Sequence, residues 1–245
     1  MPSAMLLLEL LLLIIMISIP LIPFLWAWLK GSKKLKILHE KYCRALEVTF
    51  RRLLGASTSF TIISPLESVY EATNRVKVAG KVWLADRRAY FYYFAKIFRP
   101  INDMISFSIS TSFTPGCCLI IVSRERGKLV EQALAYTEQL EYVDIRGLKD
   151  YFILTDNVVG IRHILDEFIV QELVNMKKKI LYIVMDYTAP NVEFYIETNE
   201  KDYTMVIPRA VMLIKNIMDR AGRISPRRET IDTIKKLKRA LRPRE

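Results

Sequence analysis

Residues 10–29 read LLLLIIMISIPLIPFLWAWL, twenty positions without a charge. A helix needs about 20 apolar residues to cross the hydrocarbon core of a bilayer. The run is long enough to span once, and no other stretch of the chain matches it. A secretory signal would carry a positive n-region, a shorter apolar core and a small-residue exit. Here the n-region is Met1-Pro2-Ser3-Ala4, and the run leads into Trp26-Ala27-Trp28-Leu29-Lys30. The segment therefore reads as an uncleaved anchor. Trp26 and Trp28 suit an interfacial aromatic belt, and Lys30 marks the membrane edge. Pro20 and Pro23 are tolerable in such a helix. Glu9 falls just outside the run, where its carboxylate reaches water at the far interface.

The charges flanking the span set its orientation. No Lys or Arg precedes it, whereas residues 30–52 hold eight basic residues against Glu40 and Glu47. The expected arrangement is a short extracytoplasmic N-terminus (1–9), a transmembrane helix (10–29) and a cytoplasmic remainder. The chain has no Asn-x-Ser/Thr acceptor. Its three cysteines, Cys43, Cys117 and Cys118, form no disulfide framework and suit a reducing compartment.

The net charge of +11 is concentrated at two places. Residues 30–52 carry +6 and residues 225–245 carry +5, leaving the body almost neutral. That distribution argues against a basic nucleic-acid face across the fold. It suits basic segments against anionic headgroups. Lys30, Lys33, Lys34 and Lys36 at one end, and Arg227, Arg228, Lys235, Lys236, Lys238 and Arg239 at the other, are the candidate membrane-surface or partner contacts.

Leu35, Leu38, Tyr42, Leu46, Phe50 and Leu53 recur at helical spacing, predicting a juxtamembrane helix within 30–55 that Gly55 stops. The span runs almost directly into it through a short Gly31-Ser32 joint. Strands are expected at 60–63, 75–78, 81–84, 90–98 and 105–113. In the last of these the even positions are all serine, marking one solvated face. A short apolar strand follows at 117–122. Further expectations are a helix over 128–140, extended segments at 142–145 and 151–154, and one helix over 158–176 capped from Thr155-Asp156-Asn157. A hairpin pairs 179–187 with 191–198, a strand lies at 203–207, and Pro208 opens a helix to about Arg220. The tail, 225–245, reads as an amphipathic helix. Strands followed by mixed helices and strands predict an α+β domain over 56–224, with mostly antiparallel sheet and packed helices.

No phosphate-cradling glycine loop or nucleophile-elbow spacing occurs. His163 and Glu167, four apart on one expected helix, are too few for a zinc site. Adjacent Cys117 and Cys118 point to opposite faces of a strand and read as buried apolar side chains. No catalytic residue, cofactor or metal ligand is therefore assigned.

The stretch Leu148-Lys-Asp-Tyr-Phe-Ile-Leu-Thr-Asp-Asn157, leading into Ile161-Arg-His-Ile-Leu165, is similar to a strand-to-helix signature of prokaryotic membrane-anchored domains of unknown function. The resemblance implies a membrane-anchored domain and no particular activity. The expected function is a single-pass protein whose cytoplasmic domain binds or scaffolds other proteins at the membrane. The alternatives are membrane-tethered nucleic-acid binding through the tail and aromatic strands, and an enzyme with an unrecognised site.

Overall fold

A computed structural model describes residues 2–74, 76–89, 92, 101–134, 140–187 and 191–224. The expected strand at 90–98, except Tyr92, and the whole tail 225–245 lie outside the described residues.

Helix α1 (Pro2–Leu54) runs for 53 residues, about 80 Å at 1.5 Å per residue. Among the described residues it is the one helix long and apolar enough to cross a membrane. No joint interrupts it at Gly31-Ser32. Its second half carries the predicted stripe: Leu35, Leu38, Tyr42, Leu46 and Phe50 are all fully buried. Gly55, at φ +62°, ends it in the left-handed region that glycine enters without strain. The Asn74 side-chain amide donates to the Leu54 and Gly55 carbonyls at 3.1 and 3.0 Å, satisfying acceptors that a helix end leaves open.

The rest of the described chain forms one wholly antiparallel sheet of nine strands with four further helices. Its strands are β1 (Ser57–Ser64), β2 (Glu67–Thr73), β3 (Lys77–Trp83), β4 (Asp103–Ser110) and β5 (Leu119–Ser123), then β6 (Glu141–Tyr142), β7 (Tyr151–Thr155), β8 (Ile180–Met185) and β9 (Val192–Thr198). Their order across the sheet is β1-β2-β3-β4-β9-β8-β5-β7-β6. The helices are α2 (Gly127–Leu134), α3 (Val158–Ile164), α4 (Glu167–Asn175) and α5 (Tyr203–Ala221). The architecture is thus α+β, as the element pattern predicts.

Helices α1 and α5 pack together, and the main core fills the space between them and one sheet face. Cys118, Ile120, Val122, Leu154 and Val184 form a smaller core with Ala133 and Leu129 of α2 on the opposite face. Cys117 belongs to the first core and Cys118 to the second, as adjacent residues on extended backbone must.

Contacts along α1 orient the sheet. Gly31 abuts the Arg87 backbone, and Lys34 Nζ meets Glu200 at 2.6 Å. His39 meets the Pro65 carbonyl, Tyr42 meets Asp103, Phe50 packs on Tyr70 and Phe107, and Leu54 reaches Asn74. The strands therefore run alongside the helix. The β1–β2 turn, residues 84–88 after β3 and the end of β9 lie nearest the apolar span.

A buried polar cluster fastens this end. The Asp103 carboxylate accepts from the Tyr42 hydroxyl at 2.6 Å, the Ala85 amide at 2.9 Å and the Arg87 guanidinium at 2.7 Å. Arg87 and Asp103 are both 1% exposed. Such a pair holds only where further hydrogen bonds satisfy it. His39, 2% exposed, sits above the cluster. Its Nε2 lies 3.0 Å from the Pro65 carbonyl, which can only accept, so Nε2 carries the proton and Nδ1 accepts from Ser68 at 3.2 Å.

Several local expectations are corrected. The segment expected as a strand at 203–207 is the first part of α5, with Pro208 inside the helix. Val206, Ile207, Ala210, Val211 and Ile214 bury one helical face, and that burial outweighs the β-branched local pattern. The single helix over 158–176 is two, because Asp166 accepts from the Ile169 amide and caps a new start. His163 and Glu167 therefore lie on different helices. The strands expected at 75–78 and 81–84 are one strand, β3, and β2 lies in a stretch that carried no strand expectation.

A Cβ at Gly31 would sit 2.2 Å from the Arg87 carbonyl oxygen, so Gly31→Val is expected to destabilise the chain by about 2 kcal/mol or more. Gly127→Ala, where a Cβ meets nothing within 4 Å, is the neutral control, and thermal unfolding in detergent compares them. Burial disfavours the charged His39 ring and holds its pKa below 6.5, against smaller opposing contributions from Pro65 and Asp103. The unfolded chain then binds the extra proton, so stability rises with pH through this range. The His39 contribution is complete above 6.5 and falls away as pH drops from there toward the folded value; His39→Gln should flatten that slope in chemical denaturation.

Candidate functional site

Among the described residues, the face of the sheet opposite α1 carries α2 only over its β5 side. Across β1–β4 and β9 the same face opens into a groove of about 830 Å³. Strand register arranges its side chains in three rows. Nearest the apolar span lies Glu67–Trp83–Met104–Glu197. The middle row is Thr61–Val69–Lys81, continued by Ser106 and Tyr195. The far row is Ser59–Glu71–Ala79–Ser108–Glu193. The groove is graded: its aromatic and thioether side chains gather toward the span, and its hydroxyls and Glu71 lie at the far end.

Two serines of the row that the alternation predicted in 105–113, Ser106 and Ser108, form the floor of this groove. Ser106 is 3% exposed and Ser108 half-buried, so this face is a recess and not a convex surface. Gly80 alternates with Ala79 and Lys81 and so faces the α1 side, where a Cβ would lie 2.0 Å from the Ser106 carbonyl oxygen and 2.4 Å from the Tyr70 hydroxyl. The β3–β4 pairing skips Gly80 and Lys81, and side chains fill the gap. The Lys81 amide donates to Ser106 Oγ at 3.0 Å, and the Tyr70 hydroxyl passes over Gly80 to the Ser106 carbonyl at 2.5 Å. Burial pushes the Tyr70 phenol well above its ordinary range, so it stays protonated and donates.

Aromatic stacking builds one wall. Trp83 stacks on Tyr195 with centroids 6.0 Å apart, and Tyr195 on Tyr182 at 4.4 Å. Lys81 Nζ lies 3.1 Å from Glu67 and 5.7 Å from the Trp83 ring. Arg126 and Asn102 both bond Glu197 at the rim.

The described residues bring together no group of three or more His, Cys, Asp or Glu able to hold a metal ion. Burial pushes the Cys43 thiol up to about 11 and the Cys117 thiol up to about 12, which keeps both protonated and unreactive. What the groove offers is shape, stacking surface and hydrogen bonding, the chemistry of binding.

Of the basic contacts predicted from sequence, Lys30, Lys33 and Lys36 are exposed along α1, with Lys30 Nζ 4.3 Å from the Trp26 ring centroid. Lys34 is tied to Glu200 on the domain. Arg227, Arg228, Lys235, Lys236, Lys238 and Arg239 lie outside the described residues. The groove joins five strands distant in sequence, and only the serine alternation in β4 signalled any part of it.

No protein-family model and no curated protein sequence matches this chain. Among solved structures, the crystal structure of the mycobacterial trehalose monomycolate transport factor A, TtfA, aligns with 77% of this chain and 98% of its own. The identity is 6% and the TM-score 0.42, a likeness too distant to inform the site.

Gly80→Ala should lower stability by about 2 kcal/mol or more, because the added methyl meets backbone. Ala79→Phe, one residue away, should leave thermal unfolding nearly unchanged, because its ring enters the open groove. Melting both variants beside the parent chain checks which face of β3 is filled and which is open.

Proposed function

We propose that this chain is a single-pass membrane protein whose cytoplasmic α+β domain is a non-catalytic module, binding or scaffolding other proteins beside the bilayer. The observation that supports it best is the unbroken passage of α1 from an apolar run into the domain core. A domain attached this way has a fixed height and tilt relative to the span. Exposed Lys30, Lys33 and Lys36 then form a collar at the anionic headgroups, each contributing on the order of 1 kcal/mol. The groove faces away from α1 and presents its graded surface to partners arriving laterally.

The binding reading is favoured over catalysis by what lines the groove: hydroxyls, stacked rings and one paired lysine. Nucleic-acid binding gains no support there, since carboxylates outnumber cations on that face.

Full-length protein in native membranes should resist carbonate extraction. A membrane-impermeant maleimide applied to intact cells should label Ser3→Cys and spare Val159→Cys, whose parent side chain is 71% exposed on the domain. Labelling of Val159→Cys alone contradicts the orientation. Proteins captured with the full-length chain should be lost with Ala79→Phe and kept with Val159→Phe; an unchanged set contradicts the groove as their site.

A further inference from the structure

The stripe of α1 that the domain covers begins inside the apolar run. Gly31, Leu35 and Leu38 are buried, and the same row continues back in four-residue steps to Ala27 and Pro23. Ala27 is 1% exposed and Pro23 half-buried, whereas Trp26 and Trp28 are 56% and 45% exposed. Neighbours on one helix do not close over an alanine, so chain from outside α1 covers it. With Lys30 at the headgroups, Ala27 lies about 4–5 Å and Pro23 about 10 Å inside the membrane edge. Glu9 argues for that edge. Drawing the boundary back to Pro23 leaves only residues 10–22 to span, about 20 Å, and pulls the carboxylate into hydrocarbon.

The course of the backbone shows which part of the domain reaches this far. The Leu84 amide donates to the Leu66 carbonyl, next to Pro65 and level with His39. Four residues on, the Arg87 carbonyl and the Arg88 Cα lie against Gly31. His39 to Gly31 is about 12 Å along the helix, and four extended residues reach about 13 Å. The chain is thus heading along α1 toward the span as it passes Arg88, and Ala27 is one helical turn further on. Tyr92 holds the next residues to the same crossing. Its amide donates to the Ala89 carbonyl at 2.9 Å, and the Arg87 guanidinium lies 5.7 Å from its ring.

The chemistry at this point suits lipid. Residues 90–98 include six aromatics and Lys96, and Arg99 follows, the composition of a membrane interface. The nearby acids are ion-paired, Asp86 with Arg88 at 2.9 Å and Glu200 with Lys34 at 2.6 Å, which blunts their repulsion of anionic headgroups.

We propose that the chain passing Arg88 toward Tyr92 enters the cytoplasmic interface of the bilayer beside α1, giving the domain a second, non-spanning membrane contact. This rests on reading α1 as the anchor. Interfacial elements sit about 5–10 Å into the headgroup boundary, the depth at which α1 is covered.

A fluorescent nitrobenzoxadiazole label tests this on the full chain in nanodiscs, attached singly to Ala89→Cys, Leu25→Cys or Val159→Cys. The parent chain, treated alike, sets the background from Cys43. Ala89 is exposed in the folded domain, so its label does not disturb packing. Lipid carrying a nitroxide high on its acyl chain should quench Ala89 and Leu25 several-fold and leave Val159 bright, and aqueous iodide should do the reverse. Ala89 quenched by iodide as strongly as Val159 overturns the contact. So does an Ala89 label reached by neither quencher, which marks a site covered by protein and not by lipid. In both cases Leu25 quenched by lipid leaves the anchor standing, whereas Leu25 quenched by iodide overturns the anchor and this contact together.

Discussion

The fold depends on the seam between α1 and the sheet. The helix buries Leu35, Leu38, Tyr42, Leu46 and Phe50 in the main core, so the domain cannot complete that core without it. At the end nearest the apolar span the seam tightens to backbone contact, Gly31 against Arg87. The Asp103 carboxylate draws Tyr42 of the helix, Ala85 and Arg87 of the β3–β4 connection into one buried cluster. Removing one partner of such a pair leaves a buried charge uncompensated, typically at a cost of about 3–5 kcal/mol. This cluster therefore fixes the direction of the helix as well as its depth.

That seam explains why the two faces of the sheet differ. One is filled by α1 and α5, and its side chains are continuous core. Among the described residues, the other is covered by α2 only on the β5 side. With α1 occupying one face of β1–β4, the opposite face of the same strands is left for Ser59, Ser106, Ser108, Lys81 and Trp83. The rigid attachment and the exposed recess are two consequences of one packing arrangement. On the proposed reading, a groove carried on a continuous helix would present itself at a set height and orientation to partners beside the bilayer.

The sequence was most informative where periodicity is strong and the partner is the element's own neighbour. The stripe in α1, the serine alternation of β4 and the β8–β9 hairpin all read directly. Gly31-Ser32 read as a joint because glycine is scored by its freedom; here its lack of a side chain admits the Arg87 backbone. Strand β2, ESVYEAT, buries alternate residues Ser68, Tyr70 and Ala72, two of them too small or polar to signal a core. The first turns of α5 looked extended because Thr204, Val206 and Ile207 favour strands locally, whereas Val206 and Ile207 are buried in the core that α5 shares with α1, more than a hundred residues away. The groove was nearly invisible, since register among five strands determines which side chains share a row.

Pulsed electron–electron spin resonance between labels at Leu25 in the span and Val159 on the domain, in nanodiscs, tests the stiff connection most directly. A single narrow distance distribution is predicted, unchanged between detergent and bilayer. A broad distribution, or one that shifts with the surroundings, would place a working hinge at Gly31-Ser32 and contradict the account.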